Sequence, residues 1–352
     1  MKQMDETINE SKSDAQERRS SRDAAIEALL DQHADVADRE LLAEMIVTIT
    51  RLARDGTSRG ELKILNTAMK ELRYAFKIFA PYTETRKVSI FGSSRTQEHV
   101  AEYKAAVDFA SKISKKNWMV ITGAGDGIMR AGHGGAGREA SFGVAIRLPM
   151  EQSANDIIAE DPKLVNFKYF FTRKLMFIKE ASAIALFPGG FGTQDEGFES
   201  LTLVQTGKAE LTPIVLVDAP GGNYWPHWRE YVEEQLLKSA YINPEDLALF
   251  KITDNVDEAV EEILHFYRVY HSSRFVRDKY VMRMNRPISK GLLDRVNGEF
   301  ADVLAADKFE QADGPIDGEY GEYPDKARLI FAFNHKSTSR LRQLINELNN
   351  DA

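Results

Sequence analysis

Apolar side chains along this chain change their spacing twice. From Ala24 to about Pro81, Ile26, Leu29 and Leu30, then Leu41, Leu42, Met45, Ile46 and Ile49, recur at three- and four-residue steps, and a run from Leu62 to Phe79 follows the breaker Gly56-Thr57-Ser58. That period predicts amphipathic helices, so 24–87 reads as a small helical extension suited to packing or contact between copies. From Val88 to about Tyr270 short apolar runs alternate with helix-length amphipathic segments. The runs are VSIFGSS (88–94), WMVITGAG (118–125), GVAIRLP (143–149), AIALFPGG (183–190) and TPIVLVD (212–218), each closing in Gly, Pro, Ser or Asp. Repeated βα units predict a doubly wound parallel sheet with both faces covered, α/β in class and Rossmann-like, spanning 88–271. Beyond residue 272, YVMRMN (280–285) and ARLIFAFNH (327–335) read as strands and 289–304 and 338–348 as helices. The span 272–352 is therefore expected to be a small α+β appendage, crossed by a turn-like acidic linker at 314–325.

The first 23 residues are polar, charged and Ser-rich, too poor in apolar surface to offset chain entropy, and are expected to be a disordered tail. They lack the apolar core of a secretory signal, and no stretch reaches the ~18 apolar residues of a membrane span. The expectation is a cytoplasmic protein. The 352 residues carry 46 Lys and Arg against 54 Asp and Glu, a net charge of −8. This argues against a chain built mainly to grip nucleic acid. Cysteine is absent, which removes disulfides, a thiolate nucleophile and Cys-ligated zinc from consideration. The seven histidines form no HxxxH pair, so a helical zinc motif has no support.

The chemistry-bearing segment is Pro188-Gly189-Gly190-Phe191-Gly192-Thr193-Gln194-Asp195-Glu196, placed between the buried run AIALF and a helix. Glycines at a strand-to-helix turn let a ligand approach the backbone, and the first helical N–H groups with the positive dipole end behind them suit a phosphate. Thr193 could supply a hydroxyl there or cap the helix, and Thr193-x-x-Glu196 also has the spacing of a capping box. A carboxylate one turn from a phosphate needs something neutral between them; a ribose has that size. A second segment, Phe170 to Phe177, sets Arg173 and Lys174 in an otherwise apolar helix, a fork and a point charge for an anion. A third, Gly123-Ala124-Gly125-Asp126-Gly127-Ile128-Met129, follows a strand but fails the G-x-G-x-x-G spacing, and no G-x-x-x-x-G-K-[ST] loop is present, so dinucleotide and P-loop chemistry are set aside. His133, in GHGGAG, reads as an incidental loop histidine.

Together PGGFGTQDE, the Arg173-Lys174 pair 23 residues before Glu196 and the opening FGSS (91–94) resemble the Lonely Guy (LOG) family, long labelled lysine decarboxylase-like, whose signature is P-G-G-x-G-T-x-x-E. The likeness spans roughly 88–270 and is nearest to the bacterial branch with a TGxGxGIM loop and an FFxRK helix. It implies a Rossmann-like fold, a homodimer or larger assembly, and hydrolysis of the N-glycosidic bond of a nucleoside 5′-monophosphate such as AMP, without metal or cofactor. Carried over by residue, the resemblance makes Arg173 and Glu196 the catalytic pair. It places Gly189, Gly190, Gly192 and Thr193 at the 5′-phosphate. Gly92, Ser93, Gly125, Met129, Lys174, Phe191 and Thr202 fall along the substrate, with Glu151 near the base.

The chemistry agrees: a carboxylate near C1′ stabilises the cation that forms as the bond breaks and can orient or deprotonate water. Pyridoxal chemistry would need a Schiff-base lysine, for which only Lys174 is suggestive, and no partner for the pyridine nitrogen is identifiable. The competing reading is a non-catalytic nucleotide sensor, in which the flanking segments transmit occupancy.

Overall fold

Seven parallel strands in the order β4-β3-β2-β1-β5-β6-β7 form the centre of the computed structural model, which describes residues 21–32, 38–147 and 154–350. They are β1 (Lys87–Phe91), β2 (Met119–Thr122), β3 (Ser141–Ile146), β4 (Leu164–Phe167), β5 (Ala183–Leu186), β6 (Ile214–Val217) and β7 (Phe250–Thr253). β1, β2, β5 and β6 are buried at every position, as expected for strands covered on both faces. Side chains alternate across the sheet. Val88 and Ile90 pack with Phe109, Ala131 and Ile263, whereas Phe91 joins Met176 and Phe177 on the other face. Ser89 also points to that second face and donates to the Phe177 carbonyl at 2.8 Å.

The first face is covered by α4 (Ala101–Ser114), α5 (Ile128–Ala136) and α9 (Val256–Phe266). The second carries α6 (Phe170–Lys179), α7 (Phe191–Gln205) and α11 (Thr338–Asn349). The edge strands β4 and β7 are four residues each, too short to stand out in the apolar pattern of the sequence.

A second sheet, antiparallel and ordered β10-β11-β9-β8, lies C-terminal: β8 (Tyr270–Val276), β9 (Lys279–Met284), β10 (Leu304–Ala312) and β11 (Ala327–Phe333), with α10 (Lys290–Glu299). The boundary drawn at 271/272 falls inside β8, and Met282, Leu329 and Phe331 share one continuous core with Phe142, Leu216 and Trp225 of the parallel sheet. The acidic linker is not a solvated turn throughout. Glu319 is fully buried, accepting from Arg283 Nε and Arg328 Nε at 3.0 Å each, and these arginines hold its carboxyl below the usual range against the opposing effect of burial.

The chain divides into two compact units at Met69/Lys70. The first contains the helical segment α1 (21–30), α2 (Arg39–Arg54) and the opening turns of α3 (Arg59–Phe79). Arg39 ties α2 to α1 through Glu27 at 2.8 Å and through Asp31. The apolar stripe of α2 remains exposed at Leu41, Met45 and Ile49. Of the tail predicted over 1–23, residues 1–20 lie outside the described residues, whereas 21–23 are not tail but the first turn of α1. No helix among the described residues is long and apolar enough to cross a membrane.

Candidate active site

The strand order reverses direction of growth between β1 and β5, and in open α/β sheets ligands bind outside the carboxyl ends of the strands at such a switch point. Three loops meet there. The loop after β1 is fastened on both sides: Ser93 N–H donates to the Pro188 carbonyl at 3.1 Å and Ser93 carbonyl accepts from Ile128 N–H at 3.0 Å. This interlock requires glycine at two points. Gly127 has φ +60° and a Cβ there would overlap the backbone of Ser93 and Ser94. A Cβ at Gly189 would overlap Thr193 and stand 2.9 Å from Ser93 N. Met129, half-buried, lies beneath the loop after β2, where its sulfur abuts Gly123 and its methyl Gly125.

The glycines at the head of α7 differ among themselves. Gly189 is filled on its side-chain face, whereas a Cβ at Gly190 or Gly192 would meet nothing within 4 Å. The backbone at 190 and 192 therefore faces open space beside the unpaired N–H groups of the first helical turn. Gly190 itself is the N-cap, and no side chain caps the helix. This corrects the alternative in which Thr193 capped the helix in a box with Glu196: Thr193 is the third helical residue, buried under Gly189. Tyr224, in α8 (Tyr224–Tyr231), braces the turn, its hydroxyl donating to the Gly189 carbonyl and accepting from Gln194, both at 2.6 Å. Nothing in the sequence pattern marked it.

Glu196 lies one turn further on, 4% exposed. Helical side chains lean toward the helix N-terminus, which is the end of α7 that carries the open amides. Glu196 Oε1 is 3.8 Å from Arg173 Nη2 and its Oε2 is 3.6 Å from Lys174 Nζ. Both separations exceed hydrogen-bond length, and Oε2 accepts no hydrogen bond among the described residues. A buried acceptor in that condition calls for an explanation. Burial pushes the Glu196 carboxyl up; Lys174 and Arg173 pull it back, Glu199 and Asp195 push with burial, and it rests above its ordinary value.

Lys174 contacts Asp195 at 2.8 Å and Glu199 at 2.7 Å. Burial lowers its pKa, but those two hydrogen bonds prevail and hold it above the usual lysine value. An amine nucleophile needs the reverse shift. Arg173 lies against aromatic rings, its guanidinium carbon 5.0 Å from the Phe170 centroid and 5.5 Å from that of Phe177. A Cβ at Gly123 would lie 3.9 Å from Arg173 Nη1, so the loop after β2 adjoins the same cluster.

The structure thus brings Gly92, Ser93, Gly125, Met129, Arg173, Lys174, Gly189, Gly190, Gly192, Thr193 and Glu196 to one end of the sheet. Phe191 is also there but 96% exposed, projecting into solvent rather than lining a pocket. Thr202 is not brought in: it is exposed, six residues beyond Glu196, ~9 Å along α7 and on another face. Glu151 lies outside the described residues. His133, which its Gly-rich surroundings predict to be a loop residue, is instead fully buried in α5. Its Nε2 lies 3.0 Å from Thr122 Oγ1 and 3.1 Å from the Phe142 carbonyl, and its Nδ1 faces the Asn155 amide. Asn155 in turn donates to the carbonyls of Ala124 at 3.0 Å and Gly125 at 2.9 Å, so this pair shapes the loop after β2.

Residues 124–263 match the family model described as "Possible lysine decarboxylase". A cytokinin riboside 5′-monophosphate phosphoribohydrolase of Mycobacterium tuberculosis is 25% identical over 168 residues, covering 46% of this chain and 85% of that protein. Among solved structures, the structural-genomics target TM1055 is 21% identical with a TM-score of 0.38, over 51% of this chain and 99% of its own. The molybdenum cofactor carrier protein of Chlamydomonas reinhardtii is 16% identical with a TM-score of 0.37, over 51% and 96%.

Proposed function

The chain belongs to the lysine-decarboxylase-like, or LOG, family through residues 124–263, and from that premise we propose that it is a phosphoribohydrolase of nucleoside 5′-monophosphates, releasing free base and ribose 5-phosphate. AMP is the first substrate to try, and an N6-modified AMP of the cytokinin type is the narrower form. The observation that carries this reading is the Glu196 carboxylate: buried, with Oε2 accepting no hydrogen bond among the described residues, and one turn from the open helix start.

The 5′-phosphate sits on the N–H groups at the head of α7, where Gly190 and Gly192 let it close on the backbone. The ribose then spans the ~5 Å of one helical turn, which brings C1′ to Glu196 and keeps the two negative groups apart. As the bond from C1′ to the base nitrogen breaks, its electron pair leaves with the base and positive charge grows on the sugar, which the carboxylate stabilises. Water adds to C1′, Glu196 accepts its proton, and a proton from Glu196 or from solvent water passes to the departing base nitrogen, so that one water is consumed and the carboxylate is restored. The raised pKa makes Glu196 a stronger base than an exposed carboxylate. Arg173, 3.8 Å from Glu196, orients that carboxylate or the sugar. Lys174, held protonated by Asp195 and Glu199, supplies fixed positive charge and is unsuited to Schiff-base chemistry.

The test is to incubate the protein with AMP, GMP, IMP, CMP and UMP and to separate free base by chromatography. Release of adenine from AMP supports the hydrolase. If no base appears while AMP still raises the melting temperature, the protein is a nucleotide-binding module instead.

A further inference from the structure

The amino-terminal edge of the parallel sheet, a strand's length from Glu196, holds a cavity of about 440 Å³. Its floor is the start of β1, β5 and β6, at Lys87, Ser182 and Thr212. Its walls are the ends of α3 and α6 and the segment 267–272.

Four charged groups at this cavity, Glu84, Arg86, Lys87 and Glu210, form no ion pair among the described residues. Lys87, 3% exposed, donates to the carbonyls of Tyr82 at 2.7 Å and Thr85 at 2.9 Å; an ammonium has a third N–H to give. Arg86 is stacked on Tyr267, its guanidinium carbon 3.4 Å from the ring centroid, and makes one long contact of 3.4 Å to the His271 carbonyl. The stack fixes the plane of the fork. Glu210 stands exposed at the rim, farther than ion-pair distance from Arg86, with Arg283 and Arg86 both acting on its carboxyl. Phe76, Tyr270 and Tyr323 supply an aromatic wall.

We propose that this cavity is a second binding site, for a small zwitterionic metabolite of the α-amino-acid class, its carboxylate held by Arg86 and Lys87 and its ammonium group by Glu210. A fixed guanidinium plane matches a carboxylate through two parallel N–H donors. A plain anion would meet Glu210, and a plain cation would meet Arg86; a molecule with both charges satisfies both and turns its side chain to the aromatic wall. Lys179 and Glu180, which line the cavity, end the same helix that carries Arg173 and Lys174, ~9 Å away.

The test is calorimetric titration of the full chain with each of the common L-amino acids, a measurement independent of any hydrolase activity. At least one binds with Kd below ~1 mM. Arg86→Leu and Glu210→Gln each weaken it about tenfold or more, and so do its methyl ester and its des-amino analogue, while Glu196→Gln leaves it unchanged. Should Arg86→Leu fail to fold, Arg86→Lys keeps the charge, loses the fork and shows the same weakening. Absence of any binder with Kd below ~1 mM overturns the proposal. So does a binder indifferent to both substitutions, or a des-amino acid that binds as well as its parent.

Discussion

The carboxylate of Glu71 accepts the hydroxyl of Thr172 at 2.7 Å and, through its other oxygen, the backbone N–H of Lys168 at 2.7 Å. Glu71 belongs to the last turns of α3, and Thr172 precedes Arg173 in α6. A negative group at the start of α6 meets N–H donors and the positive end of its dipole, so one side chain sets the position of the helix that presents Arg173 and Lys174. Glu71→Ala should cost about 2 kcal/mol of stability, the scale of hydrogen bonds to a charged group. It should also lower kcat for base release about tenfold with little change in KM, since the phosphate contacts lie on α7. Denaturant unfolding and steady-state kinetics check the two parts; an unchanged kcat would make Glu71 a stability residue only.

Glu196→Gln keeps the shape of the side chain and removes its charge. Nucleotide affinity should stay within a few-fold, and turnover should fall by about a hundredfold or more, the usual scale for a general base. In the wild type the base must be ionised, so kcat/KM should fall as pH drops through the Glu196 pKa. Burial raises that pKa, which puts the acid limb above the 4.5 of an ordinary glutamate. A limb at or below that value would remove Glu196 as the titrating group.

The sheet centre and the site were legible in sequence because both rest on local signals. Continuous apolar runs mark strands buried on both faces, and the Gly-rich turn with Glu196 behind it is contiguous. What escaped had no such signal. LVNF and FKIT are too short and too mixed to stand out, and YHSSRFV and LAADKFEQA read as polar although they pair in the second sheet. Thr193 has the composition of a cap, but the helix starts three residues earlier, after an extended Gly190 whose position offers no side chain to the first amides. Glu71 looks like a solvated position on an amphipathic helix, and its partners lie 97 and 101 residues away. Long-range pairing of that kind leaves no periodic trace.

Two glycines of the same turn should respond oppositely to one methyl group. At Gly189 it would overlap Thr193 and press on Ser93 N, so Gly189→Ala should destabilise by about 1–3 kcal/mol, as overpacking does. At Gly192 it meets nothing within 4 Å, and alanine in a helix is favoured over glycine by ~1 kcal/mol. Gly192→Ala should therefore melt at or above the wild-type temperature, yet bind AMP about tenfold more weakly because the methyl occupies the approach to the amides. Thermal melts with and without AMP separate the two effects, and full AMP affinity in Gly192→Ala would move the phosphate elsewhere.

Stability should fall on mild acidification because two histidines are kept neutral by the fold. Burial lowers His271 from 6.5 to about 4, with Arg86, Lys326, Arg283 and Arg328 adding to it. Burial also lowers His133, against the raising effect of the Phe142 carbonyl and Asn155. Below pH 6.5 the unfolded chain binds protons that the folded one refuses, so unfolding becomes easier as pH drops. For His271 this contribution is intact above pH 6.5 and is lost progressively down to about 4, where the folded state also takes the proton. Glu196 acts in the opposite sense at lower pH, since its folded pKa is raised. Urea unfolding at about pH 7 and about pH 5 should therefore show a loss of stability in the wild type, and the loss should shrink in His271→Gln. That variant keeps a polar group near Ser272 Oγ, which the ring contacts at 2.9 Å, and removes the titration. An equal loss in both proteins would assign the acid sensitivity to other groups.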